Sequence, residues 1–519
     1  MNPKLYLSFF LLISLCYHGQ NINWVKKTTI NGPSKGLVCD KEGNIYQFGS
    51  HYVIYYDNYM YDAPASDTAG SFLCKFSQEG NLLQLMKWSS PFWIQDMVYD
   101  GSNSFYFTGS FMGSQNINGT FISSMGNAEG FVGKITTGGD LVWMTTFGGN
   151  GSDFGNAVTL SAQNQMVVVT GGISGSFNVN GHLVAAGSQR SVLVAGFNTS
   201  DGKLLKHHLL DFNSSENYFN SGSRITSQSA GYYLLANREA SGAAPAGDYV
   251  FLLDDEFNIS MQKLVISNSC GYGFQSGPLV AGNSGKAFVG SFCSEKYGGQ
   301  GLLQMIDADG HATVVTNNAD GSFHDGCSDK DQTFVIATAG ASVCPCPENN
   351  FGYQVLRCLG PDQSVLWETR AKDVTFTKVA RSNGKCIVAG EFLGDAVTIG
   401  NTVVSGDMRE GITRGTFLIE VSDPAKLTTD LAGREKAFTV NVFPNPSGGL
   451  LNVQADGLEA GEVTFNFTNL LGDMIYQQVR YTNGKLDVSL KLPEEVTGIV
   501  FLRITAGDFT EVKRILIVK

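Results

Sequence analysis

Five tyrosines crowd into ten residues of this chain: Tyr52, Tyr55, Tyr56, Tyr59 and Tyr61. A tyrosine ring offers a flat apolar face and a hydrogen-bonding tip, which suits stacking on sugar rings or peptide surfaces. Phe92 and Trp93 form a second aromatic pair downstream. Together these seven residues are a candidate ligand-binding surface. The competing reading is an extra hairpin that packs its tyrosines on the fold.

The cysteines offer covalent chemistry. Cys270 with Cys293, and Cys327 with Cys344 or Cys346, have the placement of loop-linking disulfides in an exported chain. Cys39, Cys74, Cys358 and Cys386 lie in apolar runs and read as buried thiols, or as pairs that the sequence does not assign. A zinc site from Cys327, Cys344, Cys346 and Cys358 is the rival, but Cys-Pro-Cys is not the usual zinc-knuckle spacing and only His324 stands nearby. No metal is assigned. The acidic runs Asp307-Ala308-Asp309-Gly310 and Asn318-Ala319-Asp320-Gly321 do not continue into a twelve-residue calcium loop with a closing Glu, so they read as turns.

Catalytic signatures are missing. There is no His-Glu-x-x-His and no phosphate loop, and Gly172-Ile173-Ser174-Gly175-Ser176 falls one residue short of a nucleophile elbow. His207 and His208 are adjacent on a strand, so their rings take opposite faces and cannot share a metal. No catalytic residue and no cofactor is assigned.

The elements that must position these residues are strands. The 519 residues hold 62 glycines, 34 phenylalanines and 19 tyrosines, which favours strands and tight turns. The net charge of −12, with no basic cluster, argues against nucleic acid as a partner. Lys4 and the apolar run Leu5–Leu15 are too short to span a bilayer and read as a signal peptide over residues 1–20.

A four-strand pattern recurs seven times over residues 21–423. Its first strand resembles Leu141-Val142-Trp143-Met144 and its second Ala157-Val158-Thr159-Leu160. Its third strand ends in a small residue, as in Phe48-Gly49, Thr108-Gly109, Thr170-Gly171, Leu235-Ala236, Val289-Gly290, Ile336-Ala337 and Ala389-Gly390. Its fourth resembles Gly130-Phe131-Val132-Gly133. Seven such units predict a seven-bladed β-propeller of four-stranded blades. In a meander the long loops, one-to-two and three-to-four, share one face, and function concentrates in such loops. Phe111-Met112-Gly113, Phe177-Asn178-Val179 and Phe392-Leu393-Gly394 each run into a turn (Ile117-Asn118-Gly119, Val179-Asn180-Gly181, Ile399-Gly400). With Trp143 and Phe147-Gly148-Gly149, these segments resemble the β-propeller repeat of bacterial secreted proteins, a scaffold that implies no single activity.

Residues 424–437 are polar and contain Pro424 and Gly433, the composition of a linker. Residues 438–519 alternate apolar and polar positions as in a small β-sandwich. They carry Pro444-Asn445-Pro446, then Gly472, then Gly498 opening an aliphatic–aromatic strand, and end on Lys513-Arg514 and Lys519. This ordered set resembles the type A C-terminal sorting domain of the type IX secretion system of Bacteroidetes. The resemblance implies passage across the outer membrane, with that machinery and its sortase as partners, and release or surface anchoring.

The sequence therefore predicts an all-β chain: a seven-bladed propeller followed by a small C-terminal β-sandwich. Its expected role is a non-enzymatic, secreted or surface-bound scaffold for polysaccharide or protein. The alternative is an extracellular hydrolase or lyase with its site at the propeller channel.

Overall fold

The structure is a computed structural model. It describes residues 22–31, 34–51, 53–56, 59–62, 70–187, 190–210, 221–229, 231–238, 245–267, 273–282, 285–295, 298–319, 323–329, 332–338, 354–360, 362–371, 374–382, 385–393, 396–399, 402–405, 407–409, 412–422, 439–456, 461–469, 474–506 and 509–518. The signal-peptide and linker expectations fall outside these residues. No helix is long and apolar enough to cross a membrane among the described residues.

The described residues are all β, with antiparallel sheets. The chain divides into two compact units, residues 1–426 and 427–519.

In the first unit, four-stranded meanders follow one another. The first sheet is Ser34–Cys39, Ile45–His51, Gly70–Phe76 and Leu82–Trp88. The second is Phe92–Tyr99, Ser104–Phe111, Glu129–Thr136 and Leu141–Gly148. The third is Phe154–Leu160, Met166–Ser174, Arg190–Asn198 and Leu204–Leu210. The fourth is Ser221–Gln228, Gly231–Arg238, Gly247–Leu253 and Ile259–Ser267. The fifth is Gly273–Ala281, Ala287–Glu295, Gly298–Ile306 and Ala312–Ala319. The sixth is Phe323–Asp329, Gln332–Thr338, Gln354–Leu359 and Val365–Ala371. The seventh is Val374–Ser382, Lys385–Leu393 and Ile412–Ser422, and its fourth strand is Ile22–Asn31 from the other end of the unit. Each repeat read from the sequence is thus shifted by one strand from the sheet it helps to build.

The first strand of each sheet packs on the first strand of the next, and the seventh packs on the first. We call these the inner strands. The second and third strands of several sheets, such as Met166–Ser174 and Arg190–Asn198, are buried almost throughout. They have neighbouring sheets on both faces, which is why they read as continuous apolar runs rather than alternating ones. The fourth strands are less buried, as in Leu82–Trp88, which is mostly half-buried with Leu83 exposed and only Trp88 buried.

A hairpin leaves several sheets after their second strand and pairs with the outer strand of the sheet before. Phe177–Val179 pairs with the outer strand of the second sheet, and Ala396–Ile399 with that of the sixth. The hairpin turn at Asn180-Gly181 has φ of 49° and 80°, the left-handed pair that Asn-Gly adopts most readily. Val53–Tyr56 and Tyr59–Asp62 form the same device in the first repeat, pairing with Ile22–Asn31 at the edge of the seventh sheet.

The second unit has two antiparallel sheets that share one core. Thr439–Phe443, Leu450–Asp456 and Lys485–Lys491 form one, and Gly461–Thr468, Met474–Thr482, Gly498–Ala506 and Phe509–Ile517 the other. Val453, Leu490, Phe465, Phe467, Leu502 and Ile504 meet between them. This is the two-layer architecture that the alternation predicted.

Candidate functional site

Every inner strand of the first unit carries a β-bulge. The extra residues are Lys35, Gln95, Asn156, Ser223, the pair Gly277-Pro278, His324 and Thr377. A bulge bends its strand and re-aims a side chain, and bulges recur beside binding sites. The residue just before each bulge pairs with a small residue on the second strand: Gly49, Gly109, Gly171, Ala236, Ser291, Ala337 and Gly390. A Cβ on Gly109 would lie 1.9 Å from the carbonyl oxygen of Trp93, and one on Gly171 1.8 Å from that of Phe154. At Gly109 and Gly171 the small residue that ends the third-strand motif is there because backbone beside the bulge presses against it, whereas at Gly390 the Phe417 ring fills that space and in the fifth sheet the paired residue is Ser291, one past the motif's Gly290.

The bulges gather charge. Lys35 is a bulge residue itself, Asp96, Arg224, Asp325 and Lys378 each follow one directly, and His324 precedes Asp325. These groups come from the first, second, fourth, sixth and seventh sheets. Lys35, Arg224, His324 and Asp325 lie in the first half of their strands, towards the end where the loops from the preceding sheet arrive, and Asp96 and Lys378 lie at mid-strand.

Most of them are engaged. The Oδ2 of Asp96 accepts the Val158 amide of the third inner strand at 2.9 Å, and its Oδ1 accepts the Met97 amide at 2.9 Å. The Oδ2 of Asp325 accepts the Val379 amide of the seventh inner strand at 3.0 Å, while its Oδ1 faces Lys378 Nζ at 3.6 Å. Asn156 Nδ2 donates to the Gly222 carbonyl of the fourth inner strand at 2.9 Å. Arg224 Nη1 donates to the Ser223 carbonyl at 3.1 Å. Lys35 has no hydrogen bond or ion pair among the described residues.

The electrostatics follow. Burial, then Lys378 and Arg224, hold the Lys35 ammonium below the ordinary lysine range. Burial raises Asp96, against the pull of the Val158 amide, Arg224 and Lys378. Burial lowers His324, and Lys378 adds to that, while Asp325 opposes it.

A second acidic pair lies at the loops between the second and third sheets. Glu129 and Asp153 are buried, and burial raises both. Asp153 accepts the Gly149 amide at 2.7 Å and the Ser174 amide at 2.6 Å, and Glu129 accepts the Met125 amide at 2.6 Å. These carboxylates hold loop backbone in place. The turn at Asp307, Asp309 and His311 brings three potential ligand atoms together, but Asp307 Oδ1 already accepts the amides of Asp309 and His311. It remains a turn.

The aromatic surface is not assembled as expected. Phe92 is fully buried, stacked on Phe131 at 4.5 Å with Trp88 beside it. It opens an inner strand instead of lying in a loop, so it is a core residue and leaves the binding set. Trp93, next along that strand, is half-buried. Tyr55 and Tyr56, and Tyr59 and Tyr61, occupy the hairpin at the far edge of the seventh sheet, while Tyr52 lies outside the described residues. Up to five strand spacings, about 24 Å, separate that hairpin from the inner strand of its sheet.

Cys327 lies on the sixth inner strand, not in a loop, and packs unbonded against the core that holds Cys358 and Cys386. Cys270, Cys344 and Cys346 lie outside the described residues. Cys293 pairs in register with Phe274 in the fifth sheet.

In the second unit, Asn445 clamps the last strand. Its Nδ2 donates to the Arg514 carbonyl at 2.9 Å and its Oδ1 accepts the Leu516 amide at 2.9 Å. Ser447 continues the pairing through its amide to the Leu516 carbonyl and its carbonyl to the Val518 amide, both at 2.9 Å. Pro444 and Pro446 flank the clamp and are exposed, as is Arg514, while Lys513 is half-buried and Gly498 starts its strand at φ 87°. Gly472 and Lys519 lie outside the described residues.

A family model described as a secretion system C-terminal sorting domain matches residues 441–518. The match supports export by the type IX system, an interaction with that machinery, and a location outside the cell or on its surface. No curated protein matches the chain. Among solved structures, prolyl oligopeptidase B from Galerina marginata is similar at 9% identity and a TM-score of 0.39, over 84% of this chain and 57% of that one. This chain therefore spans little more than half of that protein's length. An apocarotenoid oxygenase from Synechocystis is similar at 11% identity and a TM-score of 0.36, over 77% of this chain and 94% of that one. Likenesses this remote carry no argument about activity.

Proposed function

We propose that residues 22–422 form a closed seven-bladed β-propeller that binds a ligand at its long-loop face, and that the C-terminal domain delivers it to the cell surface or beyond. The cyclic packing of the inner strands supports closure, as does the N-terminal strand that completes the last sheet. Exchanging the ends of the chain in one sheet locks a ring without a covalent bond.

One observation favours binding over acid–base catalysis. Both oxygens of Asp96 and both of Asp325 are already occupied, mostly by main-chain amides, whereas the Lys35 ammonium has no partner among the described residues. A carboxylate tied to amides serves as a brace. A general acid or base needs an oxygen free to meet its substrate.

The test is a panel of polysaccharides and surface proteins probed with the full exported chain, alongside turnover assays on the same polymers. Retention without product supports a binding scaffold. Product release that is lost on changing Asp96 or Asp325 to Asn, with folding intact, would establish the enzyme reading instead.

A further inference from the structure

We propose that Lys35, with Lys378 on the inner strand packed against its own and Arg224 at the corresponding bulge of the fourth, is an anion site at the long-loop end of the inner-strand cycle, taking one carboxylate, sulfate or phosphate group of a ligand. The proposal rests on the ring reading above and names the chemistry of its ligand.

Three observations carry it. First, the cations come from three different sheets, and two of them sit on inner strands that pack together. Lys35 is the second residue of the first inner strand, and Lys378 is on the seventh, which packs against it. Arg224 is on the fourth, and its charge still acts on both Lys35 and Asp96. Second, the charges do not cancel. Against these three cations stand two carboxylates: Asp96 is taken by two main-chain amides, and Asp325 by the Val379 amide and Lys378. Lys378 has Asp325 and Arg224 has the Ser223 carbonyl, so the surplus falls on Lys35. Third, the position is unfavourable without a ligand. A half-buried ammonium with no partner among the described residues, on a strand packed against that of Lys378, destabilises the fold, and such costs persist where they serve a site. One anionic group would satisfy Lys35 and balance the cluster.

The chemistry also limits the ligand. Lysine is a compact point charge and arginine a planar fork, and together they suit a tetrahedral or planar oxyanion. The chain carries a net charge of −12, so its surface as a whole repels extended polyanions. The site fits a single anionic group on an otherwise neutral ligand, or a small anion.

The experiment is titration calorimetry of the full chain with inorganic sulfate, inorganic phosphate and glucuronate, at low ionic strength and with the variants Lys35→Met and Lys35→Arg. At least one anion should bind at millimolar concentration or below. Lys35→Met should weaken it by about tenfold or more, the scale of one charge-assisted contact, and Lys35→Arg should keep most of it. Preference among the three probes separates a sugar carboxylate from sulfate and phosphate. If Lys35→Met does not fold, Lys35→Gln takes its place. Binding unaltered by the loss of the Lys35 charge, or no binding of any probe by a folded chain, overturns the proposal. Neither result touches the ring, which imaging decides separately.

Discussion

The indole Nε1 of Trp24 donates to Glu420 Oε2 at 3.1 Å, joining residues 396 positions apart in the sequence. Trp24 is on the N-terminal strand and Glu420 on the strand it pairs with, so this bond sits on the seam of the proposed ring. Glu420 is 1% exposed and also accepts from Asn23 and, at 3.1 Å, from Lys385 Nζ. The same indole reaches the Gln78 carbonyl in a turn of the first sheet, also at 3.1 Å. One side chain thus ties the seventh sheet to the first.

Glu420→Ala should therefore cost about 1–3 kcal/mol, because it leaves partly buried donors without an acceptor. Trp24→Phe keeps the ring and removes one donor, so it should cost less, about 1 kcal/mol. Chemical denaturation of both variants checks the order. Equal stability of Glu420→Ala and the parent would mean that the seam does not hold the unit together.

Removal of residues 438–519 should leave the first unit inside the envelope, since the sorting match lies wholly within that stretch. Asn445→Ala should act in the same direction more weakly, because it deletes two bonds to the last strand. Each such bond is worth about 1 kcal/mol net. Immunoblots of medium, surface and periplasm measure both. Normal export of the truncated chain would refute the sorting role.

Lys35→Met should raise the melting temperature at neutral pH. The folded state holds the Lys35 ammonium below its ordinary value of 10.5, so the protonated form is penalised by folding. That penalty is complete below the folded value and vanishes once pH exceeds the unfolded one. The stability gap between variant and parent should narrow as pH rises towards 10.5 and beyond. A gap that widens with pH would contradict this sign.

Phe92→Ala should destabilise the first unit by about 3–5 kcal/mol, as expected for a fully buried ring. The double change Tyr55→Ala, Tyr56→Ala lies at the edge of the seventh sheet and should leave anion binding intact. Calorimetry on the double variant decides between the two surfaces. Loss of binding there would return the site to the aromatic hairpin.

The strands, their number per repeat and the small residue closing each third-strand motif were all legible in the sequence. Alternation and glycine placement are local properties. What was not legible is which strands share a sheet: a meander reads the same whichever neighbour begins it. Tryptophan gives the phase in hindsight. Trp24 and Trp143 each occupy the third position of an outer strand, and each lies over a turn glycine of the next sheet, Gly80 or Gly202. The charged cluster was hidden for another reason. Lys35, Asp96, Arg224, Asp325 and Lys378 differ in type and are far apart in sequence. Only the bulge, a feature of pairing and not of composition, aligns them. Phe92 misled because a short Pro-containing run before it looks like loop.

The ring itself is the claim on which the rest depends, and imaging the purified chain by single-particle electron microscopy tests it most directly. The account predicts seven sheets around one axis, with residues 22–31 as the outermost full-length strand of the last sheet, next to residues 412–422. A different number of sheets, an open arc, or an N-terminal strand paired anywhere else would contradict it.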